Sequence, residues 1–266
     1  MLDLWNKNSY DVHDLVEIVR VLRAPGGCPW DAEQTHASLR RNLLEEAYEA
    51  VEAIDQGSLS GLKEELGDVL LQVVFHASIE EDAGQFNLND VADGVCRKLI
   101  FRHPHVFGRS DAHSTQEVLA NWDELKKQEK GQRTQADTLD AVARSLPALW
   151  RAEKMQKKAA QVGFDWPEVS PAMDKLEEET RELRQALTGQ GDALEELGDV
   201  LFAAVKVGRF LGLDPEEALH ACCEKFANRF RLVEAQVCSS GRTMDAVPLS
   251  ELSDIWNSVK HTTPGT

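Results

Sequence analysis

The 266-residue chain is short of positive charge, with 29 Lys+Arg against 46 Asp+Glu and a formal net charge of −17. A protein that holds a nucleic-acid backbone needs a basic face, so no nucleic-acid partner is expected. A small phosphate ligand stays open, provided cations offset the acids locally. No apolar run approaches the ~20 residues of a bilayer span, and the N-terminal MLDLWNKNSYD does not read as a signal peptide. No membrane partner is expected either. Cysteine is scarce and irregular. Cys28, Cys96, Cys222, Cys223 and Cys238 are odd in number and show no C-x-x-C spacing, which supports neither a disulfide framework nor a zinc site. A reduced, cytoplasmic setting fits. Sustained period-2 alternation, the mark of strands, is also missing.

What is present is helical spacing. Leu66, Val69, Leu70, Val73 and Val74 fall at i, i+3, i+4, i+7 and i+8, and Leu197, Val200, Leu201, Ala204 and Val205 do the same. Helices are expected near 10–23, 33–56, 60–83, 88–102, 115–129, 140–160, 172–187, 191–211, 215–238 and 249–260, separated by turns such as APGG, GSLSG, TGQGD and GLDP. The fold should be all-α. The heptapeptide EELGDVL occurs at 64–70 and again at 195–201, an offset of about 131 residues that is too long for a solenoid period and reads as duplication. EEAYEAVEA matches EETRELRQA upstream, KLIFRHPHV matches KFANRFRLV downstream, and WDELK matches WNSVK. The expected organisation is a helical domain over 1–130, a linker over 131–145 and a second helical domain over 146–266.

Between the two copies apolar positions drift while a charged and aromatic set is kept. The first copy has Glu45, Glu46 and Glu49, then Glu65 and Asp68, then Lys98 and Arg102, then Trp122 and Lys126. The second has Glu178, Glu179 and Glu182, then Glu196 and Asp199, then Lys225 and Arg229, then Trp256 and Lys260. Acids three apart share a helix face, and two helices joined by a short turn pack as an antiparallel hairpin. If those faces meet, each close carboxylate pair repels by roughly 4 kcal/mol at an effective dielectric near 20, and bound cations are the remedy. An all-oxygen ligand set favours Mg²⁺ or Mn²⁺ over zinc. The glycine of each heptapeptide, Gly67 or Gly198, then reads as leaving room for the facing helix or a ligand. Lys and Arg four apart suit phosphate oxygens, and Trp with a Lys one turn on suits a base and its phosphate. Together these point to a nucleoside polyphosphate.

Plainer readings compete. A lone Glu-x-x-Glu in so acidic a chain is a solvated helix face, and a lone Trp is as readily a core residue. The Glu33…His36 and Glu217…His220 spacings resemble di-iron bundles, but they sit at non-corresponding places in the two copies. Trp30 and Trp166 read as structural entry turns.

The acid motifs on an all-α scaffold, with GGCPWD, RHPHVF, RSLPAL and VGFDW, resemble the MazG nucleoside triphosphate pyrophosphohydrolases in their long tandem form, across nearly the whole chain. The resemblance implies two MazG-type helical bundles intertwined in a homodimer. It also implies Mg²⁺-dependent hydrolysis of NTPs and dNTPs to monophosphate and pyrophosphate. Carried over, the metal acids are Glu179, Glu182, Glu196 and Asp199, with Glu46, Glu49, Glu65 and Asp68 as the N-terminal set. The nucleotide contacts are Lys175, Glu178, Glu195, Lys225, Arg229, Trp256 and Lys260, with Lys98, Arg102, Trp122 and Lys126 in the first copy. The C-terminal copy is the expected seat of activity, and Glu178 is the candidate for orienting or deprotonating water. Asp192 departs from the pattern, standing where a basic residue is expected. The alternative is a nucleotide-sensing or adaptor protein that binds metal-nucleotide without turnover.

Overall fold

A computed structural model describes residues 7–108 and 134–262. Among the described residues every regular element is a helix. The chain divides into two compact units, Met1–Lys126 and Lys127–Thr266, each built around one long helical hairpin.

In the first unit α1 (Val12–Arg23), the short α2 (Pro29–Ala32), α3 (His36–Asp55), α4 (Leu59–Asp82), α5 (Leu88–Arg102) and the short α6 (Pro104–Phe107) follow in order. Side chains start these helices by satisfying backbone N–H groups that have no partner of their own. Asp11 accepts from His13 and Asp14, Thr35 from Ser38, Ser58 from Gly61 and Asn87 from Asn89 and Asp90. The Thr35 cap starts α3 at His36, three residues later than the helix expected over 33–56. Gly57, at φ +65°, makes the tight turn that folds α4 back on α3. The core is Val19 from α1, Leu39 from α3 and Val74 and Phe75 from α4, all at most 5% exposed. Two ion pairs tie α1 to α4, Arg23 to Asp82 at 2.6 Å and Arg20 to Glu81 at 3.0 Å. Replacing Leu39 with Ala should cost about 2–5 kcal/mol, since it removes a buried side chain and leaves a cavity among packed neighbours. Urea unfolding read by circular dichroism checks this.

In the second unit α7 (Gln135–Asp140), α8 (Ala148–Ala160), α9 (Ser170–Ala186), α10 (Ala193–Phe210), α11 (Pro215–Ser239) and α12 (Leu249–Thr262) repeat the plan, with a 3₁₀ turn at Met244–Ala246. The helix expected over 140–160 begins only at Ala148, because Pro147 sits in extended backbone at φ −46°, ψ 139° and starts α8. Helix α7, inside the stretch read as linker, packs on α8. Gly189 and Gly191, at φ +88° and +120°, turn the chain between α9 and α10. Asp192 then caps α10, accepting from the Leu194 N–H at 2.8 Å, a role a basic residue could not fill. Buried Gln156 on α8 donates to the Phe202 carbonyl of α10 at 2.8 Å, and Trp150 donates to Asp214 at the start of α11 at 2.9 Å. The helix expected over 115–129, with Trp122 and Lys126, lies outside the described residues.

Candidate metal and nucleotide site

The antiparallel packing of α9 on α10 brings Glu179, Glu196 and Asp199 together, with one carboxylate oxygen of each within 4.8 Å of the others. Their exposure grades across the site: Glu179 is 6% exposed, Glu196 half-buried and Asp199 open to solvent. Glu182, one turn further along α9, stands outside this trio, yet its charge acts on Glu196. Burial first, then Glu182, Asp199 and Glu179, hold the Glu196 carboxyl above its ordinary value of 4.5. Lys175, one turn before Glu179 on α9, forms ion pairs with Glu179 at 2.6 Å and with Glu178 at 2.8 Å. That pair of carboxylates holds the Lys175 ammonium well above its usual range, and Lys175 in turn pushes Glu178 down.

The first copy has a related trio, Glu46, Glu49 and Glu65, again within 4.8 Å. Asp68 is outside it but is the strongest charge raising Glu46, behind burial. Burial, then Glu49, raise Glu65, and a hydrogen bond with Glu49 adds to this. Asn42 occupies the position of Lys175. The cation nearest in sequence, Arg41, pairs with Glu45 instead, at 2.8 Å.

The remaining expected contacts sit elsewhere in each unit. Lys98 and Arg102 are half-buried on α5. Lys225 is exposed on α11; Arg229 is half-buried there, with its Nε enclosed and without a hydrogen-bond partner. Trp256 on α12 packs its ring on Phe226 at 5.2 Å, with Lys260 exposed beyond it. Glu195 is exposed on the first turn of α10.

One expectation needs correction. A Cβ at Gly67 or Gly198 would meet no protein atom within 4 Å, so these glycines are not there to admit the facing helix; the space beside them is open to a ligand. Trp166, read as a structural entry turn, also lines with Phe164 a pocket of about 480 Å³ that Lys175, Glu179 and Asp199 share. The sequence does not show this because the contact that holds the Trp166 ring, Lys206, comes from α10, on the far side of α9 along the chain. His36, by contrast, bonds His76 at 2.7 Å and Glu80 at 2.6 Å, away from either trio.

A raised carboxyl is most stable protonated, so Glu196 adds stability below 4.5, its unfolded value, and loses it as pH rises through the folded value. Without metal, the Glu196 contribution to thermal stability should therefore climb as pH falls from neutral towards 4.5, opposed by His76, which burial lowers and which loses stability over the same window. Glu196→Gln should flatten the climb. Calorimetric melts across that window check it, and identical slopes for both chains would contradict the cluster.

The MazG nucleotide pyrophosphohydrolase domain model matches the chain twice, at residues 34–107 and 169–233, each match spanning one acid hairpin. The nucleoside triphosphate pyrophosphohydrolase of Escherichia coli K12 is 45% identical over 251 residues, covering 92% of this chain and 95% of that protein. The nucleoside triphosphate pyrophosphohydrolase/pyrophosphatase MazG of Thermotoga maritima is 43% identical over 247 residues, covering 93% and 94%. YabN of Bacillus subtilis, of uncharacterised function, is 44% identical over 92% of this chain but only 50% of its own length. Two matched hairpins, each carrying its carboxylate trio, and relatives aligned end to end lead to one conclusion: the chain belongs to the MazG nucleotide pyrophosphohydrolase family.

Proposed function

We propose that the chain hydrolyses nucleoside triphosphates, NTPs and dNTPs alike, to monophosphate and pyrophosphate, using the α9–α10 carboxylates. The observation that carries this reading is the trio of Glu179, Glu196 and Asp199 converging beside a single lysine. Three carboxylates this close repel unless a cation joins them, and Lys175 neutralises only part of that charge. All-oxygen donors suit Mg²⁺, with Mn²⁺ as a substitute. Glu179, Glu196 and Asp199 would hold it, and Glu182 is near enough in charge to complete the shell. Bound there, the ion supplies Lewis-acid polarisation of phosphate oxygens and stabilises the pyrophosphate leaving group.

The protein's own groups do the rest. Lys175 holds Glu178 in place at 2.8 Å and pushes its carboxyl below the ordinary value. An ionised carboxylate with a depressed pKa is a weak base but a good acceptor, so Glu178 orients the attacking water at the α-phosphorus. Lys225, Arg229 and Lys260 supply cations for the polyphosphate, and the unpartnered Arg229 Nε has a donor to spare.

A second copy of the chain is the proposed partner. Leu194, Leu197 and Leu201 form an exposed stripe along α10, and Leu59, Leu66 and Val73 form one along α4. No described helix is long and apolar enough to cross a membrane.

The test is ion-exchange chromatography of ATP, GTP and dNTPs incubated with the purified chain and Mg²⁺. Monophosphate plus pyrophosphate, lost with EDTA, is expected. Nucleotide bound but unconverted would favour the sensing alternative. Mg²⁺ should also raise the melting temperature at neutral pH, since ion at a hundred times its Kd adds about 2.7 kcal/mol to the folded state.

A further inference from the structure

The open end of the α3–α4 hairpin, opposite the Gly57 turn, is joined by two histidines. His36 is the first residue of α3, and its Nδ1 meets the Nδ1 of His76 on α4 at 2.7 Å. The ring planes differ by 11° with centroids 4.9 Å apart, and the nitrogen contact is too short for face-to-face stacking, so the rings meet edge to edge. On its other side His36 places Nε2 at 2.6 Å from the carboxylate of Glu80, one turn along α4 from His76. That carboxylate fixes the protons of the whole chain. A carboxylate oxygen accepts, so His36 Nε2 donates and His36 Nδ1 keeps a lone pair. His76 Nδ1 then donates into it, which leaves His76 Nε2 without a proton. This last nitrogen is enclosed and has no hydrogen-bond partner.

We infer that Glu80, His36 and His76 form a proton-operated latch, which holds the start of α3 on α4 while both imidazoles are neutral and releases it in acid. The Nδ1–Nδ1 contact has room for one proton. A proton added at His36 Nδ1 sets two N–H groups face to face. Shifting the His76 proton to Nε2 relieves that contact but puts a donor at an enclosed atom with no acceptor, and direct protonation of His76 Nε2 ends at the same place. A cation on His36 would also stand in the first turn of α3, where the helix dipole disfavours it. Burial, then His36, accordingly push His76 below its ordinary value of 6.5. Charges on the neighbouring elements are engaged elsewhere. Arg20 and Arg23 of α1 pair with Glu17, Glu81 and Asp82. On α5, Asp93 and Arg97 hold each other and Asp90 accepts from the Asn87 N–H. Glu33 and Arg40, each within about a turn of His36 along the chain, are exposed. The second copy has none of the three latch residues, with Val169, Val207 and Leu211 at their positions. The latch is therefore a device of the first unit, and it stands whether or not the chain hydrolyses nucleotides.

The test uses the full chain labelled with ¹⁵N at histidine, with His36→Gln and His76→Gln to assign the signals. Two-bond proton–nitrogen NMR spectra at neutral pH should show His36 protonated on Nε2 and His76 on Nδ1. Hydrogen exchange followed by mass spectrometry, corrected for the pH dependence of the exchange chemistry, reads the latch itself. A base whose pKa is lowered by folding gives stability that is complete above its unfolded value and is lost as pH falls through the folded one. Opening of residues 36–42 in the wild type should therefore rise by up to about tenfold per pH unit below 6.5, and stay flat in both glutamine variants. Glu80→Ala, which leaves both rings in place, should mix the His36 tautomers and open the same segment at neutral pH. His76 protonated on Nε2 at neutral pH would overturn the inference. So would a wild-type segment whose opening ignores pH, or a pH response that persists in folded glutamine variants. Should those variants fail to fold, Glu80→Ala carries the decision, and wild-type tautomers and exchange in it would overturn the latch.

Discussion

Glu179→Gln is expected to lower kcat by more than ~10²-fold, beyond the loss typical of a mere outer-shell partner of a metal ligand. Glu179 is the buried member of its trio, 6% exposed, and the one acid that reaches both its neighbours on α10 and Lys175 on its own helix. The amide keeps the shape and volume of the side chain while removing the charge that the metal and Lys175 both use. Folding should survive, because Lys175 retains Glu178 and the repulsion from Glu196 and Asp199 is relieved. Kinetics and a thermal melt on the same sample separate the two effects. A folded variant with wild-type turnover would remove the metal acids from α9 and α10.

The largest contrast is expected between the two copies. Glu196→Gln should abolish most activity, whereas its counterpart Glu65→Gln should leave kcat within a small factor of wild type. Both residues are half-buried and both carry raised carboxyls, so the acids alone do not distinguish them. The surroundings do. The second copy has Lys175 on its buried acid and an aromatic pocket facing it, while the first has Asn42 at the lysine position. Arg41 holds Glu45, the counterpart of Glu178, so what the first copy lacks is a cation on an acid of the trio itself. Equal losses in the two variants would show that both copies turn over substrate. Loss only in Glu65→Gln would invert the assignment.

The hairpins were legible in the sequence because two local signals agree: the i, i+3, i+4 spacing of apolar residues, and the pairing of Glu-x-x-Glu with Glu-x-x-Asp across a glycine turn. That agreement suffices to set which acids meet. Local spacing could not show which three of four converge. Glu182 and Asp68 stand outside the trios, because which carboxylates meet is set by how the two helices cross and not by spacing along either one. Trp166 was illegible for a different reason. Its placement depends on Lys206 and Arg209, on the next helix but one along the chain, gripping Asp165. Boundary errors at Thr35 and Pro147 have a simpler cause, since a cap and a proline outvoted an apolar period that continued through them. For Gly67 and Gly198 only the facing-helix half of the expectation fails, because a missing Cβ signals space without saying what fills it.

In the proposed reaction water attacks the α-phosphorus at the α9–α10 carboxylates. Hydrolysis of ATP with Mg²⁺ in ¹⁸O-enriched water, followed by mass spectrometry of the products, tests that directly. One ¹⁸O in the monophosphate and none in the pyrophosphate is the result expected. Label in pyrophosphate, or diphosphate with labelled phosphate, would place the attack at another phosphorus and contradict it.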